Sequence, residues 1–209
     1  MSEFMHVIKG YSRIKKNVVS GNGKILFQST SPLFDQFAEE AYRFIDIAYP
    51  KFYKMDKLSK LGFLTSEVLL KGIILKEKYS ADKTGIILSN KSSSLDTDVK
   101  YYNNLKNGFA SPAVFVYTLP NIMIGEICIR NGIKGENTFF VSDKYDIPSQ
   151  VNYVNNLLDT GLVDACICGW VELMEETYDS FLYLVEKGED RAQLKHSVEN
   201  IEKLYLKGL

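Results

Sequence analysis

Few side chains in this sequence could do chemistry, and most sit in surroundings that argue against it. There are three cysteines, Cys128, Cys166 and Cys168, and two histidines, His6 and His196. Cys166-x-Cys168 with Cys128 could suggest a metal, but structural zinc sites take four ligands at wider spacing, so no metal is expected. Residues two apart in a strand face the same side, so both thiols should pack into a core as small hydrophobes. An odd number of cysteines in apolar contexts points to a reducing compartment and free thiols. Neither histidine sits in a motif that pairs it with a nucleophile. Ser92-Ser93-Ser94 precedes a helical pattern, where backbone N–H groups can hold phosphate. Asp96 and Asp98 follow in the first turn and disfavour an anion, so the cluster reads as a turn and cap. Gly21-Asn22-Gly23 reads as a tight turn. Lys71, Lys76, Lys78 and Lys83 could attract an acidic partner, but Glu77 and Asp82 are interspersed, which suits a solvated face better.

The chain has 209 residues, 45% of them hydrophobic, enough for one sizeable core, so a single domain over 1–209 is expected. Net charge is −1, which gives no reason to expect nucleic acid. The 13 Tyr and 12 Phe imply a large core or an interface. Met1 to Gly10 contains His6 and Lys9 and does not read as a signal peptide. No stretch approaches the ~20 apolar residues of a membrane span. A cytoplasmic protein is the expectation.

The elements that would position these residues follow in order. Met5 to Ile14 reads as a strand, and Val18-Val19 and Ile25 to Phe27 as a pair around the Gly/Asn turn. Ser31 as N-cap and Pro32 at the first position open a helix with the stripe Phe34, Phe37, Ala38, Ala41, Ile45 and Ala48. Lys54 to Ser59 leads into a second helix reaching about Leu75, with Leu58, Leu61, Leu64 and Val68 at helical spacing and Gly62 and Gly72 allowing close approach. Lys83 to Ser89 is a buried strand. Ser94 caps a helix to about Leu105. Pro148-Ser149 starts a helix through Leu158, closed by Gly161. Leu162 to Glu172 and Tyr178 to Glu186 read as strands, and Arg191 to Leu206 as a last helix with Leu194, Val198, Ile201 and Tyr205 on one side. Alternating strands and helices predict an α/β fold with a mixed, mostly parallel sheet flanked by helices.

The stretch Ser111 to Tyr145 organises the rest. Pro120 and Gly132 bracket a helix that is apolar nearly all round at Ile122, Met123, Ile124, Ile127, Cys128 and Ile129, which predicts burial on more than one side. Glu126 and Arg130 are spaced i, i+4 and predict an ion pair. Thr138 to Val141 has no alternation and predicts a strand covered on both faces.

Ser111-Pro112, Thr118-Leu119-Pro120-Asn121 and Ile129 to Asn137 (IRNGIKGEN) resemble the N-terminal half of β-ketoacyl synthases, the condensing enzymes of fatty-acid and polyketide synthesis. Lys54-Met55-Asp56 and the strand Leu162 to Glu172 extend the resemblance to roughly Pro50–Glu172. It implies a thiolase-like half-fold and no cofactor. The family runs from Gly-Leu/Ile-Lys-Gly-Pro down a strand to a Thr-Ala-Cys whose Cys accepts the acyl group. Counting from Gly135, that place holds Lys144, after Ser142 and Asp143. The family's two catalytic histidines lie beyond the matched stretch, and neither His6 nor His196 sits in a matching motif.

Three readings stay open. An exposed lysine is an ammonium at neutral pH and no nucleophile, and Ser142 has no base with a reason to be near it. On the first reading the protein is a non-catalytic partner subunit in acyl-chain building, dimerising with itself or an active ketoacyl synthase and serving an acyl carrier protein. The strand Thr138, Phe139, Phe140, Val141 matches the one through which family members dimerise. The helix from Arg191 could fold back to cover Ile122 to Ile129. The second reading is an acyltransferase or thioesterase with a relocated nucleophile, and the third a structural interaction domain.

Overall fold

The structure, a computed structural model, describes residues 5–188 and 193–207. Three N-terminal strands, β1 (Met5–Lys15), β2 (Val18–Gly21) and β3 (Lys24–Gln28), form a meander. The β2–β3 turn is Asn22 and Gly23, both with positive φ (50° and 75°), as a tight hairpin requires. Then come α1 (Phe34–Ile45), a 3-10 turn (Pro50–Lys54), α2 (Lys57–Leu69), the short α3 (Leu75–Lys78) and β4 (Thr84–Asn90). After these follow α4 (Leu95–Lys106), α5 (Pro112–Phe115), α6 (Asn121–Asn131) and β5 (Asn137–Val141). The chain closes with α7 (Ile147–Asp159), the hairpin β6 (Ala165–Met174) and β7 (Thr177–Gly188), and α8 (Val198–Lys207).

The seven strands form one sheet in the order β3-β2-β1-β7-β6-β4-β5. Five of the seven strands point the same way and only β2 and β7 run against them. Parallel neighbours are nevertheless confined to β4 with β5 and β6, because β7 folds back from β6 by a hairpin and inserts beside β1. The sheet is therefore mixed and α/β as expected, with fewer parallel pairings than alternation alone suggests.

One face carries α2 and α6, and the other α7 and α8. Ten of the thirteen residues of α2 are buried. Asp56 caps its start by accepting the Ser59 N–H at 2.9 Å. Its outer side is closed by an aromatic cover: Phe52 stacks on Tyr42 at 4.3 Å, Tyr49 stacks on Phe63 at 5.2 Å, and Phe34 and Phe37 meet Tyr178. Gly62 lets α6 approach, since a Cβ there would lie 2.3 Å from the Met123 sulfur.

Several boundaries differ from the sequence reading. α1 starts at Phe34, because the Ser31 hydroxyl bonds Glu40 at 2.6 Å and the Phe34 N–H is taken by Glu176 at 2.5 Å. α2 stops at Leu69, before Gly72 at φ 82°. α6 is buried on one side only, through Met123, Ile124, Glu126 and Ile127, while Ile129 is 68% exposed. Glu126 and Arg130 do not pair. The buried Glu126 accepts the Tyr117 hydroxyl at 3.1 Å and lies 2.8 Å from Lys51, at an angle that makes this an ion pair without a hydrogen bond. Arg130 instead grips Glu67 of α2 with two bonds of 2.9 Å. Strand β5 is not covered on both faces. Among the described residues it is an edge strand paired only with β4, with Phe140 and Val141 41% and 56% exposed.

The last helix also departs from expectation. Arg191 lies outside the described residues, and Leu194 to His196 run extended beside β1, with Ile8 N–H to Leu194 carbonyl at 2.8 Å and His196 N–H to His6 carbonyl at 2.7 Å. The helix α8 begins only at Val198 and covers the face opposite α6, so it does not shield Ile122 to Ile129; α6 packs on α2 through its buried side. Ile201 is fully buried there, and Val198 and Tyr205 pack beside it.

Phe52 is fully buried at the centre of the aromatic cover. Phe52→Ala should lower unfolding free energy by about 3–5 kcal/mol, measured by urea titration, because the rings around it are too rigid to close the cavity.

Candidate functional site

The loop from β5 to α7 holds Ser142 and Lys144, the residues that the resemblance sets against the family's nucleophile. Ser142 is fixed by its N–H to the Asn90 carbonyl at 3.0 Å, which continues the β4–β5 ladder by one residue. Its hydroxyl donates to the Lys144 carbonyl at 2.8 Å. Lys144 is exposed, and Asp143 beside it is too. Asp146 caps α7 by accepting the Ser149 N–H at 3.2 Å, which holds its carboxyl below the usual range. Tyr145 turns inward, where burial pushes its hydroxyl pKa well up. A cavity of about 390 Å³ opens here, lined by Ser89, Phe140, Val141, Ser142 and Asp146 together with Ser149, Gln150 and Tyr153.

The floor of that cavity is Gln150, and it is fully engaged. Its amide N–H groups donate to the carbonyls of Ile87 (3.2 Å) and Gly169 (3.1 Å), and its oxygen accepts from Tyr145 at 2.5 Å and lies 3.4 Å from the Tyr183 oxygen. The Tyr183 hydroxyl also lies 3.1 Å from His196 Nε2. Asn155 Oδ1 sits 2.7 Å from His196 Nδ1 and 2.9 Å from His6 Nδ1, and His6 Nε2 is 3.2 Å from Asp159. An amide oxygen only accepts, so each Nδ1 donates to it, and His196 Nε2 is left to accept from Tyr183. Both histidines of the chain thus converge on one asparagine of α7. No local pattern announces this, since the two are 190 positions apart and in no shared motif.

These histidines are not placed as bases for Ser142. Each is spent on Asn155 and a second partner, and burial, with His6 adding to it, lowers the His196 pKa to about 3. The thiols are no better placed. Cys166 and Cys168 are fully buried and face α7, as their spacing implied. Burial pushes Cys168 well up and Cys128 to about 11, so neither is a thiolate at neutral pH. The other candidates resolve into structure. Ser92 and the Lys91 and Ser92 N–H groups bond Glu172, Ser94 donates to the Thr118 carbonyl at 2.9 Å, and Asp96 accepts the Glu175 N–H. Lys78 pairs with Glu186 and Lys83 donates to the Gly161 carbonyl, while Lys71 and Lys76 line a separate groove of about 640 Å³. Among the described residues there is no group of three or more His, Cys, Asp or Glu placed to hold a metal, and no helix is long and apolar enough to cross a membrane.

No protein-family model matches the sequence, and no curated protein matches it. Solved structures do. The ishigamide ketosynthase/chain length factor superposes with a TM-score of 0.64 at 17% identity, over 90% of this chain and 64% of the other. The thiolase-like ketosynthase fold is therefore present. A ketosynthase in complex with its chain length factor, from Xenorhabdus doucetiae, matches at TM-score 0.55 and 12% identity, over 89% of this chain and 80% of that one. A type II polyketide ketosynthase bound to its acyl-carrier protein matches at 0.60 and 16%, over 88% and 63%. This chain spans just under two thirds of the first of these proteins.

The depressed His196 pKa has a definite sign. The unfolded chain takes up a proton near pH 6.5 and the folded chain only near 3, so stability is greatest above pH 6.5 and falls with pH between those values. Relative to a His196→Gln variant, the wild type should lose up to about 1.4 kcal/mol per pH unit across that window, read from urea midpoints at pH 7 and 4.5.

Proposed function

We propose that this chain is a non-catalytic ketosynthase-like subunit that acts beside an active ketosynthase in polyketide- or fatty-acid-type chain building on an acyl carrier protein. The observation that supports it most is chemical. The ketosynthase-like fold is kept, yet an exposed lysine stands where the resemblance puts the acyl-accepting cysteine. Acyl transfer needs an activated nucleophile with a base, and oxyanion donors. Here Cys166 and Cys168 are buried, burial keeps the Cys128 and Cys168 thiols protonated, and the imidazoles are consumed elsewhere. On this reading the protein works by contact, in the cytoplasm.

The proposed contact is the β5 edge. An unpaired apolar strand is a template for a further strand. The Ser142 N–H and Glu136 carbonyl point to β4, so by alternation the N–H groups of Phe139 and Val141 point outward. A partner with the same fold could extend the sheet there, as the chain length factors of the matched complexes pair with ketosynthases by their titles.

Two experiments test this. Co-expressed with a ketosynthase from the same genome, the wild type should co-elute with it in size-exclusion chromatography, and Val141→Pro should abolish that by removing one outward N–H while leaving the β4 ladder intact. Wild type that elutes apart from every such ketosynthase and leaves their products unchanged would overturn the reading. Incubation with acyl thioesters should give no adduct at Cys128, Cys166, Cys168 or Ser142 by mass spectrometry; stoichiometric labelling would favour the relocated-nucleophile enzyme instead.

A further inference from the structure

Helix α4 is held to the rest of the molecule by little. Of its twelve residues only Thr97 is buried. A helix this short is marginal in water without packing. Its apolar stripe points the wrong way for a monomer: Leu95, Val99 and Tyr102, at i, i+4 and i+7, lie on the side turned away from Thr97 and are 47%, 44% and 57% exposed. Leu105, Phe109 and Phe115 add exposed apolar surface on the same excursion, where Phe115 packs on Tyr101 at 5.4 Å. Half-exposed side chains of this size present roughly 80–100 Å² each, so these six offer on the order of 500 Å², most of the ~800 Å² per partner in a stable interface.

We propose that this face is the contact between two copies of the chain, with their α4 helices antiparallel across a two-fold axis beside Tyr102. The charge pattern selects that occupant. The first turn of α4 carries Asp96 and Asp98, Lys100 stands in the middle, and the last turn carries Lys106. A helix acidic at one end and basic at the other complements itself when turned round. With the axis at Tyr102, Asp98 of one copy faces Lys106 of the other, Val99 faces Leu105 and Leu95 faces Phe109, each pair occurring twice as an isologous interface requires. Lys106 lies over the Tyr102 ring at 4.5 Å, which keeps its charge at the face. The contact is separate from the β5 edge and does not depend on it.

Sedimentation velocity at low salt, over a concentration series, tests the proposal. Wild type should be a dimer at tens of micromolar, and Val99→Asp a monomer with an unchanged circular dichroism spectrum. Asp98→Lys alone and Lys106→Asp alone should each weaken self-association about tenfold or more, because each puts like charges together twice. An equimolar mixture of the two should dimerise again, since every contact in the mixed pair joins opposite charges. A wild type that stays monomeric would overturn the proposal. So would a dimer that survives Val99→Asp, or a mixture no more associated than its components.

Discussion

The burial of α2 is the constraint on which the architecture rests. Its residues are apolar on nearly every side, from Leu58 through Phe63 to Leu69, so one packing surface is not enough for it. The sheet takes one side, α6 a second through the gap at Gly62, and the aromatic cover of α1 and the 3-10 turn the rest. Removing any of these would leave apolar surface facing water, at about 25 cal/mol for each Å². The segment 34–53 is thus part of the core, although its sequence reads as a covering helix and a turn.

The opposite face is closed differently. There α7 and α8 lie on β6, β7 and β1 over Cys166, Cys168, Phe181 and Tyr183. Polar groups do much of the fixing: Arg13 bonds Asp179 twice, at 2.9 and 2.8 Å, and stacks on Tyr205, while Asn155 gathers both histidines. Groups tied up in this way are unavailable for acid–base work. The same contacts that close the face remove the imidazoles from any chemistry at Ser142, so the structural and chemical readings are one statement.

Local signals were legible in the sequence, and long-range ones were not. Pro120 and Gly132 marked α6 because a cap and a left-handed glycine are local requirements, and Asn22-Gly23 marked its hairpin for the same reason. The spacing of Cys166 and Cys168 gave their common face. The orientation of α6 was hidden, because Glu126 finds Lys51 and Tyr117, and Arg130 finds Glu67, through tertiary packing that outweighs an i, i+4 pair. That β5 is an edge was hidden too, since composition records apolarity and not the number of neighbours. Ser142 and Lys144, picked out by counting along the resemblance, lie in the loop after β5, but nothing local announced that His6 and His196 would meet at Asn155.

The place of β7 between β6 and β1 has a consequence for how the protein is made. Arg13 and Asp179, side by side in the finished sheet, are 166 residues apart in the chain. During synthesis the β1–β3 meander emerges early and then waits, with one flank of β1 bare, until nearly the whole sheet has been translated. Loop closure over that distance slows folding, and the waiting strand is open to the wrong neighbour.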